Sequence, residues 1–160
     1  MMNDFTLDLA DEAATLAFGA TLAKLVEPNL TIYLHGDLGA GKTTLVRGLI
    51  HNLGFVGKVK SPTYTLVESY EVIGEKGTFM LYHFDLYRFN DDEEWEAAGF
   101  REYFNANSVC LIEWPEKAAS VLPQPDIEVN FVIKPMGRTI HLLAHSNLGQ
   151  QLIGKFNAKP

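Results

Sequence analysis

The stretch GDLGAGKTT, Gly36 to Thr44, decides the fold of this chain because it matches the phosphate-loop pattern G-x-x-x-x-G-K-[ST] in full. The apolar run LTIYLH, Leu30 to His35, precedes it and has the composition of a strand buried on both faces. The segment that follows is amphipathic, with Leu45, Leu49 and Leu53 on one helical stripe. The sequence therefore predicts a strand, a glycine-rich loop and a helix that together bind phosphate groups.

The residue types of the loop explain how it would bind a nucleoside triphosphate. Glycines let the backbone wrap around a phosphate group, and the amides at the helix start donate hydrogen bonds to it. We expect Lys42 to place a positive charge between the β- and γ-phosphates and Thr43 to ligate Mg²⁺ through its hydroxyl. The expected nucleotide contacts of the segment are Asp37, Leu38, Gly39, Ala40, Gly41, Lys42, Thr43 and Thr44. The sequence has no Asn-Lys-x-Asp tetrad of the kind that GTP-specific members carry, which favours ATP.

Two acids stand where a second magnesium ligand is expected, at the end of a strand near the loop. Asp85 ends the apolar run in FMLYHFDLYRF, and Glu113 ends the run in VCLIEWPE. Mg²⁺ takes oxygen ligands, directly or through water, so both residues qualify by pattern. For each of them the alternative is a polar residue that merely ends a strand.

The segment KSPTYT, Lys60 to Thr65, lies a short distance after the predicted phosphate-loop helix. In nucleotide switches, a Ser or Thr at this place contacts magnesium or the γ-phosphate and becomes ordered by it. The alternative is a turn that leads into the next strand. Residue chemistry alone leaves both interpretations open.

The order of apolar and polar segments predicts one domain, residues 1–160, of the α/β class. We expect a three-layer α/β/α core of the P-loop NTPase type, with a mixed sheet and antiparallel additions. A helix is predicted from Asp11 to Pro28, and a hairpin around GEKG, Gly74 to Gly77. DDEEWEAAGFREYF, residues 91–104, is predicted to form one helix of about three turns. SVCLIEW is predicted to be a buried strand, and DIEVNFVIK with TIHLLAH a closing hairpin.

Composition narrows the function classes. A formal net charge of -7 argues against direct binding of nucleic acid, because proteins that grip a phosphate backbone carry clustered Lys and Arg. No apolar run approaches the roughly 20 residues that span a bilayer, and the N-terminal sequence lacks the pattern of an export signal. The lone cysteine, Cys110, cannot form an internal disulfide. We therefore expect a cytoplasmic protein with no membrane association.

The motifs GDLGAGKTT, SPTYTL, YHFDLYR and LIEWPE, in this order, resemble the bacterial TsaE (YjeE) family. Members of that family are P-loop ATPases required for threonylcarbamoyladenosine modification of tRNA. The resemblance extends over nearly the whole chain, and the H-x-D-x-Y-R and I-E-W-P-E elements make it specific. It implies that Lys42 binds phosphate, that Thr43 and Glu113 hold magnesium, and that Trp114 lies beside the nucleotide.

The resemblance also assigns roles in hydrolysis. It implies that Asp85 is needed for hydrolysis or its coupling, with His83, Tyr87 and Arg88 as its supporting residues. Ser61, Pro62 and Thr63 match the switch-like segment of the family. The residues expected to act in catalysis are Lys42, Thr63, Asp85 and Arg88. The base of the nucleotide is expected between the N-terminal strand near Asp8 and the loop at Gly137 and Arg138.

The cofactors that the resemblance implies are ATP and Mg²⁺, and the implied partners are TsaB and the catalytic subunit TsaD. The family hydrolyses ATP to drive the cycle of these partners and does not make the modification itself. Contact with tRNA would then be indirect, which agrees with the acidic charge of the chain.

Two other functions are compatible with the residues. One is a small-molecule kinase, although such kinases close an arginine-bearing lid over the transferred group and none of Arg47, Arg88, Arg101 and Arg138 lies in an obvious lid. Arg88 is open to two interpretations, a charge stabiliser or the partner of a nearby acid. The other function is a nucleotide sensor that binds ATP without catalysis.

Overall fold

The computed structural model describes residues 3–74 and 77–157 of the chain, and these residues form one mixed sheet with helices on both faces. The strands are β1 (Asp4–Leu9), β2 (Leu30–His35), β3 (Val67–Gly74), β4 (Gly77–Asp85), β5 (Ser108–Glu113), β6 (Ile127–Ile133) and β7 (Arg138–Ala144). The α-helices are α1 (Glu12–Ala23), α2 (Lys42–Asn52), α3 (Asp92–Ala98) and α4 (Asn147–Asn157). Two 3-10 turns span Phe100–Tyr103 and Pro115–Ala118.

The strand order in the sheet is β1-β7-β6-β2-β5-β4-β3. Strands β6, β2, β5 and β4 are parallel, whereas β3, β7 and β1 add to the two sides in antiparallel pairs. The parallel centre is buried on both faces, as the continuous apolar runs of β2 and β5 require. This arrangement confirms the predicted mixed sheet with antiparallel additions.

The two faces of the sheet bury separate apolar clusters. The cluster on one face joins α1, α2 and α4 to residues such as Leu34 and Leu111, and Phe18 of α1 stacks on Phe156 of α4. The cluster on the other face packs Trp95 of α3 against Phe84 of β4. The predicted three-layer α/β/α core is therefore confirmed. Among the described residues, no helix is both long and apolar enough to cross a membrane.

Both predicted hairpins are present, with β3 antiparallel to β4 and β6 antiparallel to β7. Glu75 and Lys76, which come between β3 and β4 in the sequence, lie outside the described residues. Strand β3 begins at Val67. Just before it, the amide of Leu66 donates a hydrogen bond to the carbonyl of Pro62 at 2.7 Å, which closes a turn. In the structure the switch-like segment thus ends in a turn that leads into β3, and its response to a nucleotide stays a prediction.

Two predicted helices differ from the structure. The helix expected over residues 91–104 was wrong as a single element, because α3 ends at Ala98 and Gly99 adopts the left-handed conformation (φ 72°) before a 3-10 turn. The first helix ends at Ala23, earlier than Pro28, because the chain turns there and Val26 enters the core. Helix α4 was not predicted.

The register of the parallel strands positions the site. Glu113 lies opposite Leu34 of β2 on one side and opposite Asp85 of β4 on the other. Strands β2, β5 and β4 thus end at one edge of the sheet, where the chain leaves β2 into the glycine-rich loop. Crevices outside the carboxyl ends of parallel strands are the usual ligand sites of open α/β sheets.

Candidate nucleotide and metal site

The glycine-rich loop connects β2 to α2, as the sequence predicts. Helix α2 begins at Lys42, and Gly41 before it has φ 106°, a left-handed conformation that side chains with a Cβ rarely adopt. A Cβ on Gly41 would also overlap Nη1 of Arg138, whose guanidinium lies against the loop. Nη1 of Arg138 donates to the carbonyl of Ala40 at 2.7 Å. Arg138 therefore holds the phosphate loop from the start of β7.

Lys42 is buried at the base of the loop, with only 4% of its surface exposed. Its Nζ donates to the carbonyl of Gly36 at 2.6 Å and lies 3.7 Å from the centre of the Trp114 ring. Burial lowers the pKa of Lys42, and the nearby carboxylates, first among them Glu113 and then Asp85, partly oppose that shift. The loop thus presents a single buried positive charge that is oriented by a carbonyl and an aromatic ring.

Glu113 is a buried carboxyl group at the end of β5, with hydrogen-bond donors on two sides. The hydroxyl of Thr43 donates to it, with oxygen separations of 3.2 Å to Oε1 and 3.1 Å to Oε2. Nε2 of His83 lies 2.6 Å from Oε2. The structure therefore brings together Thr43 and Glu113, the two expected magnesium ligands.

Asp85 is half-buried beside Glu113 and faces the same cavity. One of its carboxylate oxygens accepts a hydrogen bond from the amide of Tyr87 at 3.1 Å. Burial raises the pKa of Asp85, and the adjacent Glu113 raises it further, while the Tyr87 amide and the charges of His83 and Lys42 act in the opposite direction. Asp85 is therefore a more basic carboxylate than an exposed aspartate.

The hydrogen bond of His83 goes to Glu113, whereas the family resemblance placed His83 among the residues that support Asp85. Its ring nitrogen bonds to Glu113, and the side chain is completely buried. The reason lies in the register: His83 and Asp85 are two residues apart and share one face of β4, and Glu113 lies opposite Asp85, diagonal to His83.

The switch-like segment contributes Ser61 and Thr63 to the cavity, with their hydroxyl oxygens 2.7 Å apart. Leu66, at the end of the segment, has φ 69°, which is unusual for a residue with a branched side chain. Arg88 reaches this segment and not the cavity: its guanidinium carbon lies 5.0 Å from the centre of the exposed Tyr64 ring. Within residues 3–74 and 77–157, Arg88 forms no ion pair with an acid.

The cavity at this edge of the sheet has a volume of about 340 Å³. Its lining comprises Glu12, Leu38, Gly39, Ala40, Gly41, Lys42, Thr43, Thr44, Ser61, Thr63, Asp85, Glu113, Trp114 and Arg138. Asp37 does not line it; its carbonyl accepts a hydrogen bond from the amide of Ala40 at 3.1 Å. Glu12 was missed by sequence reasoning. It stands in the first turn of α1, where its carboxylate pairs with Arg47 of α2 (2.9 Å).

Trp114 joins the cavity to the segment that follows Asp85. It adopts φ 58°, a conformation that is strained for an aromatic residue. Its ring contacts Lys42 on one side and lies 5.0 Å from the ring of Tyr87. Strained backbone geometry is concentrated at ligand sites, and here it directs an aromatic ring toward the buried lysine.

The residues expected at the base end lie together next to this cavity. Asp8 and Arg138 line an adjoining depression between β1 and the β6–β7 hairpin, and the carboxylate of Asp8 accepts a hydrogen bond from Thr139 at 2.7 Å. Gly137 has φ 78° and packs so closely on the carbonyls of Leu9 and Ala10 that a Cβ would overlap them. Arg138 is common to both depressions.

The donor groups fit a magnesium ion that arrives with a phosphate ligand. Thr43 and Glu113 offer hard oxygen donors side by side, and Mg²⁺ typically takes only one or two protein ligands, with phosphate and water completing its octahedron. The described part of the chain contains no group of three or more His, Cys, Asp or Glu side chains that could hold a metal by themselves. The loop glycines and Lys42 in turn fit an anionic group.

Comparisons with known proteins agree with one another. The family model of the "Threonylcarbamoyl adenosine biosynthesis protein TsaE" matches residues 9–140. The tRNA threonylcarbamoyladenosine biosynthesis protein TsaE of Haemophilus influenzae is 48% identical over 161 residues, which cover 98% of this chain and 99% of that protein. The protein of the same name from Bacillus subtilis is 39% identical over 123 residues, 77% of this chain and 73% of the relative.

A solved structure has the same fold. The crystal structure of Bacillus subtilis YdiB superposes with a TM-score of 0.80 and 28% sequence identity, covering 98% of this chain and 96% of that one.

Proposed function

Since the chain belongs to the TsaE family of threonylcarbamoyl adenosine biosynthesis proteins, we propose that it binds and hydrolyses Mg-ATP to serve tRNA threonylcarbamoyladenosine modification. One observation carries the proposal. The hydroxyl of Thr43 at the start of α2 meets the carboxylate of Glu113 at the end of β5, at 3.1 and 3.2 Å, although 70 positions separate them in the chain. Thr43 and Glu113 would hold the metal, and the loop from Leu38 to Thr44 the phosphates.

Each side chain of the cavity has its own part in the proposed hydrolysis of ATP. When bound, Mg²⁺ would neutralise negative charge on the β- and γ-phosphate oxygens. Lys42 adds a fixed positive charge beside those phosphates, and Trp114 limits the access of water to it. Asp85 orients the attacking water and accepts its proton, a role that its raised pKa favours. Ser61 and Thr63 become ordered by the γ-phosphate and are released after hydrolysis.

ATP is the proposed nucleotide, with its base in the depression that Asp8 and Arg138 line beside the phosphate loop. The proposed partners are TsaB and TsaD, with tRNA contacted only through them, in agreement with the net charge of -7. We further propose a cytoplasmic location, which the free and buried thiol of Cys110 supports.

The arginines argue against the kinase alternative, because each one is engaged away from a lid position. Arg47 pairs with Glu12, and Arg101 pairs with Glu96. Arg88 lies on Tyr64 and Arg138 on the phosphate loop. A kinase lid needs an arginine on a segment that closes over the transferred phosphoryl group.

The deciding experiment measures phosphate release from Mg-ATP by the protein alone, and then with TsaB, TsaD and tRNA. We expect slow release alone and stimulation only by the assembled partners. The Asp85→Asn variant should bind Mg-ATP but show no stimulation, and it serves as the matched control for contaminating ATPase. A strict requirement for a small acceptor molecule would support the kinase instead, and nucleotide binding without phosphate release in any mixture would support the sensor.

A further inference from the structure

His83 is a buried polar side chain that the proposed chemistry does not use. It is 0% exposed, in the part of β4 covered by the helices of the phosphate-loop side. Its Nε2 lies 2.6 Å from Oε2 of Glu113, and its Nδ1 has no hydrogen-bond partner among the described residues. A fully buried imidazole with one very short contact to a proposed metal ligand needs a physical reason.

The two ring nitrogens of His83 have different surroundings. Nδ1 is buried and has no hydrogen-bond partner among the described residues, so Nε2 makes the one hydrogen bond of the ring. The carboxylate of Glu113 can only accept, so Nε2 must carry the proton. His83 therefore directs its Nε2–H at the carboxylate of Glu113.

This donor acts from the opposite side to Thr43. Thr43 approaches Glu113 from α2 and His83 approaches from β4, so the carboxylate is fixed between two elements. A glutamate side chain has several accessible rotamers, and the one in the structure directs its oxygens to the Thr43 hydroxyl. The hydrogen bond from His83 selects that rotamer before any ligand binds.

We propose that His83 is a positioning residue that orients Glu113 for the magnesium ion of bound ATP. This inference rests on the proposed function, because it needs Thr43 and Glu113 to hold that ion. It gives the His and the Asp of the H-x-D pattern in β4 separate roles. The two residues share one strand face, with Asp85 at the rim of the cavity and His83 one step below it as the support of the neighbouring acid.

The experiment measures ATP binding by calorimetry at increasing Mg²⁺ concentrations, and again in EDTA. The His83→Phe variant keeps a ring of similar size and loses the donor, whereas His83→Gln can place an amide N–H near the position of Nε2. We expect His83→Phe to raise the half-saturating Mg²⁺ concentration about 10- to 100-fold, with affinity for metal-free ATP unchanged. His83→Gln should restore most of the loss. Thr15→Val, which removes the hydrogen bond of another buried side chain to the carbonyl of Asp11, should leave the Mg²⁺ requirement unchanged.

A second measurement uses the unmodified protein without metal or nucleotide. Long-range proton–nitrogen NMR spectra should show a proton on Nε2 of the His83 ring, with the signals assigned by their loss in His83→Gln. This readout keeps the proposal testable if His83→Phe fails to fold. A ring without a proton on Nε2 would overturn it.

The remaining outcomes separate this inference from the proposed function. An unchanged Mg²⁺ requirement in His83→Phe, together with a raised one in Glu113→Gln, would overturn the role of His83 and leave the metal site intact. If Glu113→Gln and Lys42→Ala also bound Mg-ATP normally, the proposed function itself would fail, and the inference with it.

Discussion

Gly41→Ala should destabilise the protein by two separable effects. Gly41 has φ 106°, and a residue with a Cβ pays roughly 1–2 kcal/mol for a left-handed conformation. The new Cβ would also overlap Nη1 of Arg138, with the Cδ and Cζ of that side chain at 3.4 Å. The arginine can move, but it then loses its 2.7 Å hydrogen bond to the carbonyl of Ala40, worth about 1.5–3 kcal/mol for a charged donor. We expect a total loss of about 2.5–5 kcal/mol in the free energy of unfolding.

The chain offers a matched control within the same loop. Gly39 also has a positive φ, 81°, but a Cβ there meets no atom within 4 Å. Gly39→Ala should therefore show the conformational cost alone, about 1–2 kcal/mol. The assay is urea unfolding followed by circular dichroism, with the slope of the transition compared among the variants.

A double-mutant cycle isolates the contact with Arg138. In an Arg138→Ala background, Gly41→Ala should cost no more than Gly39→Ala, because nothing remains to be displaced. Equal losses for Gly41→Ala and Gly39→Ala in the unmodified background would refute the reasoning, as would a Gly41→Ala loss that is unaffected by Arg138→Ala. Either result would mean that Arg138 does not hold the phosphate loop.

Three further predictions concern the site and the core. Lys42→Ala should lose measurable Mg-ATP binding by calorimetry, because no other buried cation faces the cavity in the described residues. An affinity within a factor of about two of that of the unmodified protein would contradict this prediction. Glu113→Gln should raise the Mg²⁺ requirement of binding at least about tenfold, whereas Asp85→Asn should keep Mg-ATP bound and stop phosphate release. The reverse pattern would exchange the two roles. Burial raises the pKa of the Cys110 thiol to about 12, so alkylation followed by mass spectrometry should be slow at pH 8 in the folded protein and fast in denaturant. In the unfolded chain this thiol ionises near its ordinary pKa of 9.0, whereas the folded protein keeps it protonated up to a pH of about 12. The free energy of unfolding should therefore fall as the pH rises from 9.0 to about 12.

The parts of the fold that follow from local patterns were predictable from the sequence. The strand, loop and helix around Lys42 follow from one motif and its flanking hydrophobic periodicity. Helix α4 was also predictable, because Leu148, Leu152 and Phe156 recur at helical spacing. The end of α3 at Gly99 shows how a single residue that favours the left-handed conformation outweighs an acidic helix start.

The contacts that depend on strand register could not be predicted. The pairing of His83 with Glu113 requires β4 and β5 to be parallel neighbours in a register that sets Asp85 opposite Glu113, and no local pattern contains that information. The contact of Arg138 with Ala40 is of the same kind, since the two residues are 98 positions apart. The residue types at the site can therefore be predicted from the sequence, whereas the contacts between them depend on the pairing of the strands in the sheet.

The pairing of β1 with β7 has a consequence for how the protein acquires its site. Residues of the first strand are joined to residues 138–144, and the guanidinium at the start of that last strand holds the phosphate loop near residue 40. During synthesis the motif emerges early, but its fixed geometry must wait until about a hundred more residues have been made, at roughly 5–20 residues per second. For several seconds a nascent chain thus carries the complete motif without the completed pocket. Nucleotide binding would then act as a late, selective stabiliser of the finished domain.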